Sequence, residues 1–281
     1  TRNYVYKELF YLYRDYKKNN EKALKLIDRL IYSDPDNEKL LVEKAKLLFS
    51  TGESDQALNI LLNIEDKSNQ IKEFLCELYE KKDLYLDAIK IYKELFEEEQ
   101  KPEYLEKILA LSYNLELYDE VLKFIDNHSE TVSSDMIKYY GGLVHFHKAN
   151  YKEAENMFRK INSPDFKYKN EINIYKGLIY FNLKDYKNAQ KFIKRAITKK
   201  VKQDIAWAKF AEILYKTGNA GKATGPLEKA FQAGNDEVET HLLEAELHFS
   251  LNNREKLLKK MRYLQKRSLP DRVDYHIRYG T

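Results

Sequence analysis

Apolar residues recur along this chain at intervals of three and four, the spacing of one face of a helix. In residues 169–197, KNEINIYKGLIYFNLKDYKNAQKFIKRAI, this pattern runs through two segments of about a dozen residues, separated by a short polar turn. Helices of this length are not stable alone in water, so each must bury its apolar stripe against a neighbour. The pattern therefore predicts an all-α fold built from paired helices.

The composition agrees with this prediction. Only nine Gly and five Pro occur in 281 residues, which argues against a β fold rich in turns. A hydrophobic fraction of 43% is too high for a disordered chain. No stretch approaches the roughly 18 consecutive apolar residues of a membrane-spanning helix, so the sequence predicts none.

Eight segments of the chain share one arrangement, in which a small or apolar anchor residue precedes a bulky one by four positions. The anchors are Ala23, Ala57, Ala88, Val121, Ala154, Ala189, Ala223 and Leu257. They follow one another at intervals of 31 to 35 residues. A fixed period of this length is typical of a repeat protein, in which each unit cannot bury its apolar face alone.

A second repeated position lies twelve residues before each anchor, and six of its eight residues are Ala, Gly or Cys. It holds Tyr11, Ala45, Cys76, Leu109, Gly142, Gly177, Ala211 and Ala245. Together with the period, these positions resemble the tetratricopeptide repeat (TPR), a helix–turn–helix unit of 34 residues. The resemblance implies that the two helices of each unit cross closely at this second position. The resemblance covers about residues 4–271.

The resemblance implies an all-α, right-handed superhelical solenoid of about eight repeats, in which the first helix of each repeat lines a concave side. The repeats span about 4–37, 38–68, 69–101, 102–134, 135–169, 170–203, 204–237 and 238–271. The solenoid thus occupies residues 1–271, and residues 272–281 form a C-terminal tail.

Some positions depart from the repeat. Arg14, Ser112 and His128 stand where a large apolar residue is usual, and the first repeat is expected to be a terminal cap. Pro226 lies within the second helix of the seventh repeat, so we expect that helix to start late or to kink. The alternative functional interpretation of this proline is a hinge.

The resemblance places ligands in the concave groove, at the second, fifth, ninth and twelfth positions of each first helix. The candidate groove residues are Tyr113, Asn114, Tyr139, Leu143, Phe146, His147, Ile174, Leu178, Phe181, Asn182 and Tyr215. This aromatic and aliphatic strip would suit an amphipathic helix or an extended apolar peptide. The alternative is that the aromatic residues at the twelfth positions pack between neighbouring repeats.

One variant of the family can be rejected from the sequence. TPR proteins that act as chaperone adaptors hold a C-terminal carboxylate with Lys and Asn at the fifth and ninth positions. At those positions in the first three repeats of this chain, Lys46 is the one Lys, and no Asn occurs. The sequence therefore predicts no carboxylate clamp.

The net charge of +4 conceals an asymmetry between the two ends. Residues 1–134 contain 20 Lys plus Arg against 28 Asp plus Glu, a net of −8, whereas residues 135–281 contain 29 against 17, a net of +12. The last helix carries a basic patch of Lys256, Lys259, Lys260, Arg262, Lys266 and Arg267. Such a patch is either a solvated end cap or a contact for an acidic protein, a nucleic acid or an anionic lipid.

The sequence favours neither catalysis nor a cofactor. His241 and His248 lie two helical turns apart without an obvious third zinc ligand, and Cys76 occupies a helix-crossing position. No phosphate-binding loop and no HExxH or GxSxG motif occurs. We therefore expect a protein without enzymatic activity, cofactor or metal.

The function that follows is that of a protein-interaction scaffold or adaptor in complex assembly, with another protein or a peptide segment as partner. Two alternatives stay open: a nucleic-acid-binding or regulatory adaptor that uses the basic end, and the interaction domain of a larger envelope-assembly or secretion protein. The second alternative rests on a chain that begins with Thr1 and not with Met. Self-association is a further possibility, and the sequence does not indicate the compartment.

Overall fold

The computed structural model describes residues 2–128 and 134–266. These residues form sixteen α-helices and one π-helical turn, Leu12–Tyr16, and contain no β-strand. The helices are α1 Arg2–Tyr11, α2 Asn20–Ser33, α3 Glu38–Ser50, α4 Ser54–Leu62, α5 Asn69–Lys81, α6 Tyr85–Glu99, α7 Pro102–Asn114, α8 Tyr118–His128, α9 Asp135–His147, α10 Tyr151–Arg159, α11 Ile172–Asn182, α12 Tyr186–Thr198, α13 Gln203–Lys216, α14 Ala220–Gln232, α15 Val238–Ser250 and α16 Arg254–Lys266. The predicted all-α fold of paired helices is confirmed.

The chain divides into two compact units, an N-terminal unit, Thr1–Tyr118, and a C-terminal unit, Asp119–Thr281. Within each unit the helices pack mainly against their neighbours in sequence. Contacts of this kind are typical of a solenoid, whose stability is close to a sum of terms between adjacent elements. The division into eight repeats in one solenoid domain stays a prediction, as does the structure of residues 272–281, which lie outside the described part.

The repeat anchors are mostly core residues. Seven of the eight anchors, Ala23 through Ala223, are no more than 1% exposed, while Leu257 in α16 is half-buried. Two of the helix-crossing positions show a close contact with the second helix of their pair. The Sγ atom of Cys76 lies 3.7 Å from the carbonyl oxygen of Ala88, and Gly142 faces the ring of Phe158. The close crossing predicted from the repeat is therefore confirmed.

Gly177 marks an especially tight crossing. A Cβ atom added there would lie 2.5 Å from Cδ1 of Ile193, a side chain that is fully buried. Real Cβ atoms are not found so close to another carbon, so a larger residue would force α11 away from α12. Glycine at this position is required for the packing of the two helices.

The turn between the two helices of each pair contains one residue with a positive φ angle, always five residues before the anchor. These residues are Lys18, Gly52, Asp83, Glu116, Ala149, Lys184, Gly218 and Asn252, with φ between 49° and 90°. The left-handed conformation ends a helix and allows its last carbonyls to be satisfied. Six of the eight residues are not glycine, so the period and not the residue type identifies this position.

The departures from the repeat have physical explanations. Arg14 lies in the π-helical turn, where its guanidinium forms ion pairs with Asp15 and Glu43. The ring of His128 stacks on Phe124 with centroids 4.2 Å apart. The expected late start of the helix with Pro226 is wrong, because α14 begins three residues before its anchor, as α12 does.

Candidate functional site

The twelfth-position aromatics of the C-terminal unit pack against the repeat that follows. The ring of Phe146 lies 5.7 Å from that of Tyr175, edge to face. The Nζ atom of Lys209 lies 4.2 Å from the ring centroid of Phe181, in cation–π geometry. Phe146 and Phe181 nevertheless keep part of their surface exposed. Phe146 and Phe181 therefore pack between repeats, as the alternative interpretation holds, and their contact with a partner stays a prediction.

Three candidate groove residues belong to the core. Tyr139, Leu143 and Ile174 are 3%, 2% and 1% exposed. The Tyr168 ring from the connection between α10 and α11 stacks on Tyr139 with centroids 4.6 Å apart, and Ile174 packs in a core cluster with Ala189 and Ile193 of α12. The interpretation of these three residues as a contact surface is wrong, because neighbouring side chains already cover them.

The hydroxyl of Tyr139 is part of the same buried arrangement. It donates a hydrogen bond of 3.1 Å to Oε2 of Glu171. Burial raises the pKa of Tyr139 above its ordinary value, with the nearby Tyr175 and Glu171 acting in the same direction. The hydroxyl therefore stays protonated at any physiological pH, which gives it a structural function and no function as a base.

The other candidate groove residues keep accessible surface. Leu178 and Tyr215 in the C-terminal unit are half-buried, and so is Tyr113 in the N-terminal unit. Asn114, His147 and Asn182 are exposed. These residues stay predicted contacts.

A cavity of about 360 Å³ lies along α13 and α15, the first helices of the seventh and eighth predicted repeats. Ile205, Ala208 and Glu212 line it from α13, and Glu239, Leu242 and Glu246 line it from α15. These are the second, fifth and ninth positions of both helices, the positions that the family resemblance directs inward. None of these six residues belongs to the aromatic and aliphatic strip predicted from the sequence.

The cavity along α13 and α15 is mixed in polarity and rich in carboxylates. Besides the three glutamates above, Glu237 lines it. The Nζ atom of Lys209 lies 2.5 Å from Oε2 of Glu212, which neutralises one of the carboxylates. Leu242 and Ile205 supply the apolar part of the lining. The arrangement can receive apolar side chains beside basic ones.

Most of the predicted basic patch is exposed. Lys256, Lys259, Arg262 and Lys266 face solvent on α16. Lys260 does not, because its ammonium forms an ion pair with Glu244 and approaches Nδ1 of His241 at 3.1 Å. Lys260 therefore fixes α16 to α15 and is not part of an open patch. Arg267 lies outside the described residues.

His241 has a defined tautomer because of Lys260. An ammonium group can only donate, so Nδ1 of His241 accepts, and Nε2–H donates to Oδ1 of Asp236 over 2.9 Å. Both ring nitrogens are thus occupied within the protein. Throughout residues 2–128 and 134–266, no group of three or more His, Cys, Asp or Glu side chains is placed to hold a metal ion.

Cys76 is buried in α5, away from solvent. Burial raises the pKa of its thiol to about 12, and the charge of Glu80 acts in the same direction. Because the thiolate is the reactive form, the raised pKa removes the nucleophile at neutral pH. This environment matches a core cysteine at a helix crossing.

We expect native protein at pH 8 to resist alkylation of Cys76 by iodoacetamide, because each unit of raised pKa lowers the thiolate population about tenfold and the side chain is covered. The same reagent should label Cys76 fully in concentrated guanidinium chloride. Intact-mass spectrometry reads both reactions. Rapid labelling of folded protein would contradict the burial described here.

No helix within the described ranges has both the length and the apolar character needed to cross a membrane. No protein-family model matches the chain, and no curated protein matches it by sequence. Similarity is found at the level of solved structures.

The C-terminal part of a TPR repeat-containing protein from Cytophaga hutchinsonii superposes with a TM-score of 0.59 at 13% identity, over 84% of this chain and 97% of that one. A chain of the APC/C hetero-tetramer Cut9–Hcn1 also gives a TM-score of 0.59 at 13% identity, over 89% of this chain and 50% of that one, so this chain spans half its length. Likeness at such low identity shows the fold alone. The chain has the tetratricopeptide-repeat fold, and the resemblance found in its sequence is confirmed.

Proposed function

We propose that this protein is a non-enzymatic scaffold that holds a segment of a partner protein against the inner positions of its first helices. The observation that carries the proposal is the cavity along α13 and α15, lined by equivalent repeat positions on two successive first helices. A surface that repeats in this way presents the same kind of contact at regular steps along a bound segment. The exposed parts of Leu178, Phe181 and Tyr215 belong to the same proposed groove.

A solved neighbour supports a protein as the partner. The chain matched in Cut9–Hcn1 is part of a hetero-tetramer, so a TPR fold of this kind can serve in an assembly of several proteins. The helices of the present chain offer the same kind of scaffold. The identity of its partner does not follow from that likeness.

The chemistry of the groove indicates what the partner segment contains. Leu242 and Ile205 would bury apolar side chains, and the four glutamates of the cavity, which outnumber its two lysines, would favour Lys or Arg beside them. An amphipathic helix carries these two kinds of side chain on adjacent faces, and an extended peptide can alternate them. We therefore propose a segment that is apolar and basic, in helical or extended form.

A displayed library of random peptides can test the groove without knowledge of the partner. Peptides selected on the full chain should be rich in apolar and basic residues. Combining Ile205→Glu with Leu242→Glu should weaken their binding about tenfold or more, since about 1.4 kcal/mol of lost apolar contact suffices for that factor. Fluorescence anisotropy with the purified variant gives the Kd.

A matched control carries the same two added charges elsewhere. Leu86→Glu with Leu183→Glu replaces two exposed leucines that do not line the cavity. This variant should bind the selected peptides like the parent, and circular dichroism should show equal helicity for both variants. Equal weakening by the two variants, or selected peptides without a basic and apolar character, would remove the groove proposal.

A further inference from the structure

The positive charge of the C-terminal unit concentrates in residues 160–202. This segment contains 12 Lys plus Arg against three Asp plus Glu. Helix α12 within it carries four basic residues and no acidic one. The predicted basic patch on α16 is thus one of two basic regions, and one of its lysines is engaged in an ion pair.

A cavity of about 770 Å³ opens at this basic segment, between α12 and the connection that precedes α11. Its lining includes Asp165, Phe166 and Lys169 from the connection, Lys194, Arg195 and Thr198 from α12, and Lys199 directly after α12, so four cations face a single carboxylate. None of the four basic side chains forms an ion pair with a carboxylate in the described part of the chain.

The neighbourhood of Arg195 shows the same excess of positive charge. Lys176 lies in the adjacent helix α11, where burial lowers its pKa. Glu155 opposes this effect, while Arg159 and Arg195 lower the pKa further. Cations thus crowd one another here, and a bound anion would relieve the repulsion.

The connection that forms one wall of the cavity is held in place. Residues 160–171 separate α10 from α11, the longest link between helices in the described ranges. The backbone N–H of Ser163 donates to Oδ2 of Asp135 over 2.9 Å, and Tyr168 stacks on the buried Tyr139. Because this wall is already ordered before binding, binding does not lose the entropy of ordering it, and the affinity is higher.

We propose that this cavity is a binding site for an acidic peptide segment of a partner protein, separate from the groove along α13 and α15. Its four cations would pair with Asp or Glu side chains of that segment. The ring of Phe166 and the ring of Pro164 provide an apolar surface beside the charges. The volume accommodates several residues of a peptide, and the cations span both walls.

The aromatic residues of the connection, of which Phe166 lines the cavity, favour a peptide over a single-stranded nucleic acid. Nucleic-acid sites of this kind offer aromatic faces on which bases stack. One face of Tyr168 is covered by Tyr139, and Nζ of Lys167 lies 4.7 Å from its ring centroid. Phe166 packs edge to face against both Tyr139 and Tyr168. These rings are already used to fix the connection.

The test uses the full chain and a short fluorescein-labelled peptide of glutamates with a central phenylalanine, followed by fluorescence anisotropy at two salt concentrations. We expect saturable binding that weakens with salt. Lys194→Glu with Lys199→Glu should weaken it about tenfold or more, because attraction becomes repulsion at two contacts. Lys187→Glu with Lys191→Glu changes the charge of the same helix equally, outside the cavity, and should weaken binding less than about threefold.

A second variant tests the fixed wall without changing charge. Tyr168→Ala removes the stack on Tyr139 and should weaken binding several-fold while α12 and its cations stay in place. Circular dichroism verifies the fold of every variant.

Several outcomes would overturn the assignment. These are an absence of peptide binding, equal weakening by the two charge-reversed pairs, and an affinity unchanged by Tyr168→Ala. If oligouridylate or phosphatidylserine vesicles bind more tightly than the peptide, and if this binding depends on Lys194 and Lys199, the site binds a nucleic acid or a membrane instead. The chain could also sediment as a multimer that salt weakens and that Lys194→Glu with Lys199→Glu abolishes. In that case the site would bind the acidic N-terminal unit of a second copy of the chain.

Discussion

Phe158→Ala is expected to lower the free energy of unfolding by about 3 to 5 kcal/mol, the usual cost of removing a buried phenyl ring. Phe158 is 2% exposed in α10. Its ring lies against Tyr139 and Tyr175, with centroids 6.2 and 6.0 Å away. Loss of the ring leaves a cavity at the crossing of α9 and α10. Urea denaturation followed by circular dichroism measures the change.

Gly142 offers a sharper form of the same test. A Cβ atom added at Gly142 would lie 2.7 Å from Cε1 of Phe158, so Gly142→Ala alone should overpack the crossing. Overpacking costs about 1 to 3 kcal/mol, which exceeds the roughly 1 kcal/mol that alanine gains in helix propensity. In the background of Phe158→Ala, the new methyl group enters vacated space. There Gly142→Ala should stabilise the protein.

Gly142→Ala should thus destabilise the parent protein and stabilise the Phe158→Ala variant. The control for this reversal is Gly221→Ala. Gly221 lies in α14, and a Cβ atom added there meets nothing within 4 Å. Its effect should be small and the same in both backgrounds, because the two sites share no contact. A Gly142→Ala effect of equal sign with and without the Phe158 ring would contradict the tight crossing.

Much of this packing follows from the sequence because it is local. The anchor and the helix-crossing position recur with the same period, and each depends on contacts between two helices that are adjacent in the chain. Glycine at residues 142 and 177 is the clearest signal, since an added Cβ atom would lie too close to the side chains of Phe158 and Ile193. The left-handed turn residues give no such signal, since the residue types of Lys184 and Glu116 do not indicate a positive φ angle.

The candidate groove could be predicted only in part, because burial depends on what lies beyond a helix. The inner positions of α13 and α15 line a cavity as the repeat predicts, whereas the equivalent Tyr139 and Ile174 are covered. What covers Tyr139 includes Phe166 and Tyr168 from an irregular connection. No periodicity determines how such a connection folds back. The same connection forms the wall of the basic cavity, which the sequence pattern therefore did not indicate.

The charge pattern shows a similar limit. The excess of basic residues after residue 134 is plain from the sequence, yet the ion pairs that neutralise them are not. Lys260 of α16 pairs with Glu244 of α15, whereas Lys194 in α12 and Lys199 directly after it pair with no carboxylate among the residues that the structure describes. Which cations are available to a partner depends on the register between helices. Counting charges along the chain therefore could not distinguish the two basic regions.

Pro226→Ala is expected to raise the free energy of unfolding by about 2 to 3 kcal/mol. Pro226 is the seventh residue of α14, which continues through it to Gln232. A proline in a helix interior removes one backbone hydrogen bond and clashes with the preceding turn, at a cost of about 3 kcal/mol. Alanine restores that bond to the carbonyl of Lys222, and the greater freedom of the unfolded chain offsets about 0.4 to 1 kcal/mol of the gain. Urea denaturation measures the difference.

Gly225 explains how α14 tolerates the proline and supplies the control. The ring of a proline clashes with the Cβ atom of the residue before it, which disfavours the helical conformation there. Gly225 has no Cβ, and one added there would meet no neighbouring atom within 4 Å. Gly225→Ala should therefore destabilise the protein that retains Pro226, and should stabilise the Pro226→Ala variant by about 1 kcal/mol through helix propensity. If Pro226→Ala alone lowers the stability, the proline is required for the packing of α14. If it raises the stability, the proline destabilises α14 locally, and Gly225 reduces that destabilisation.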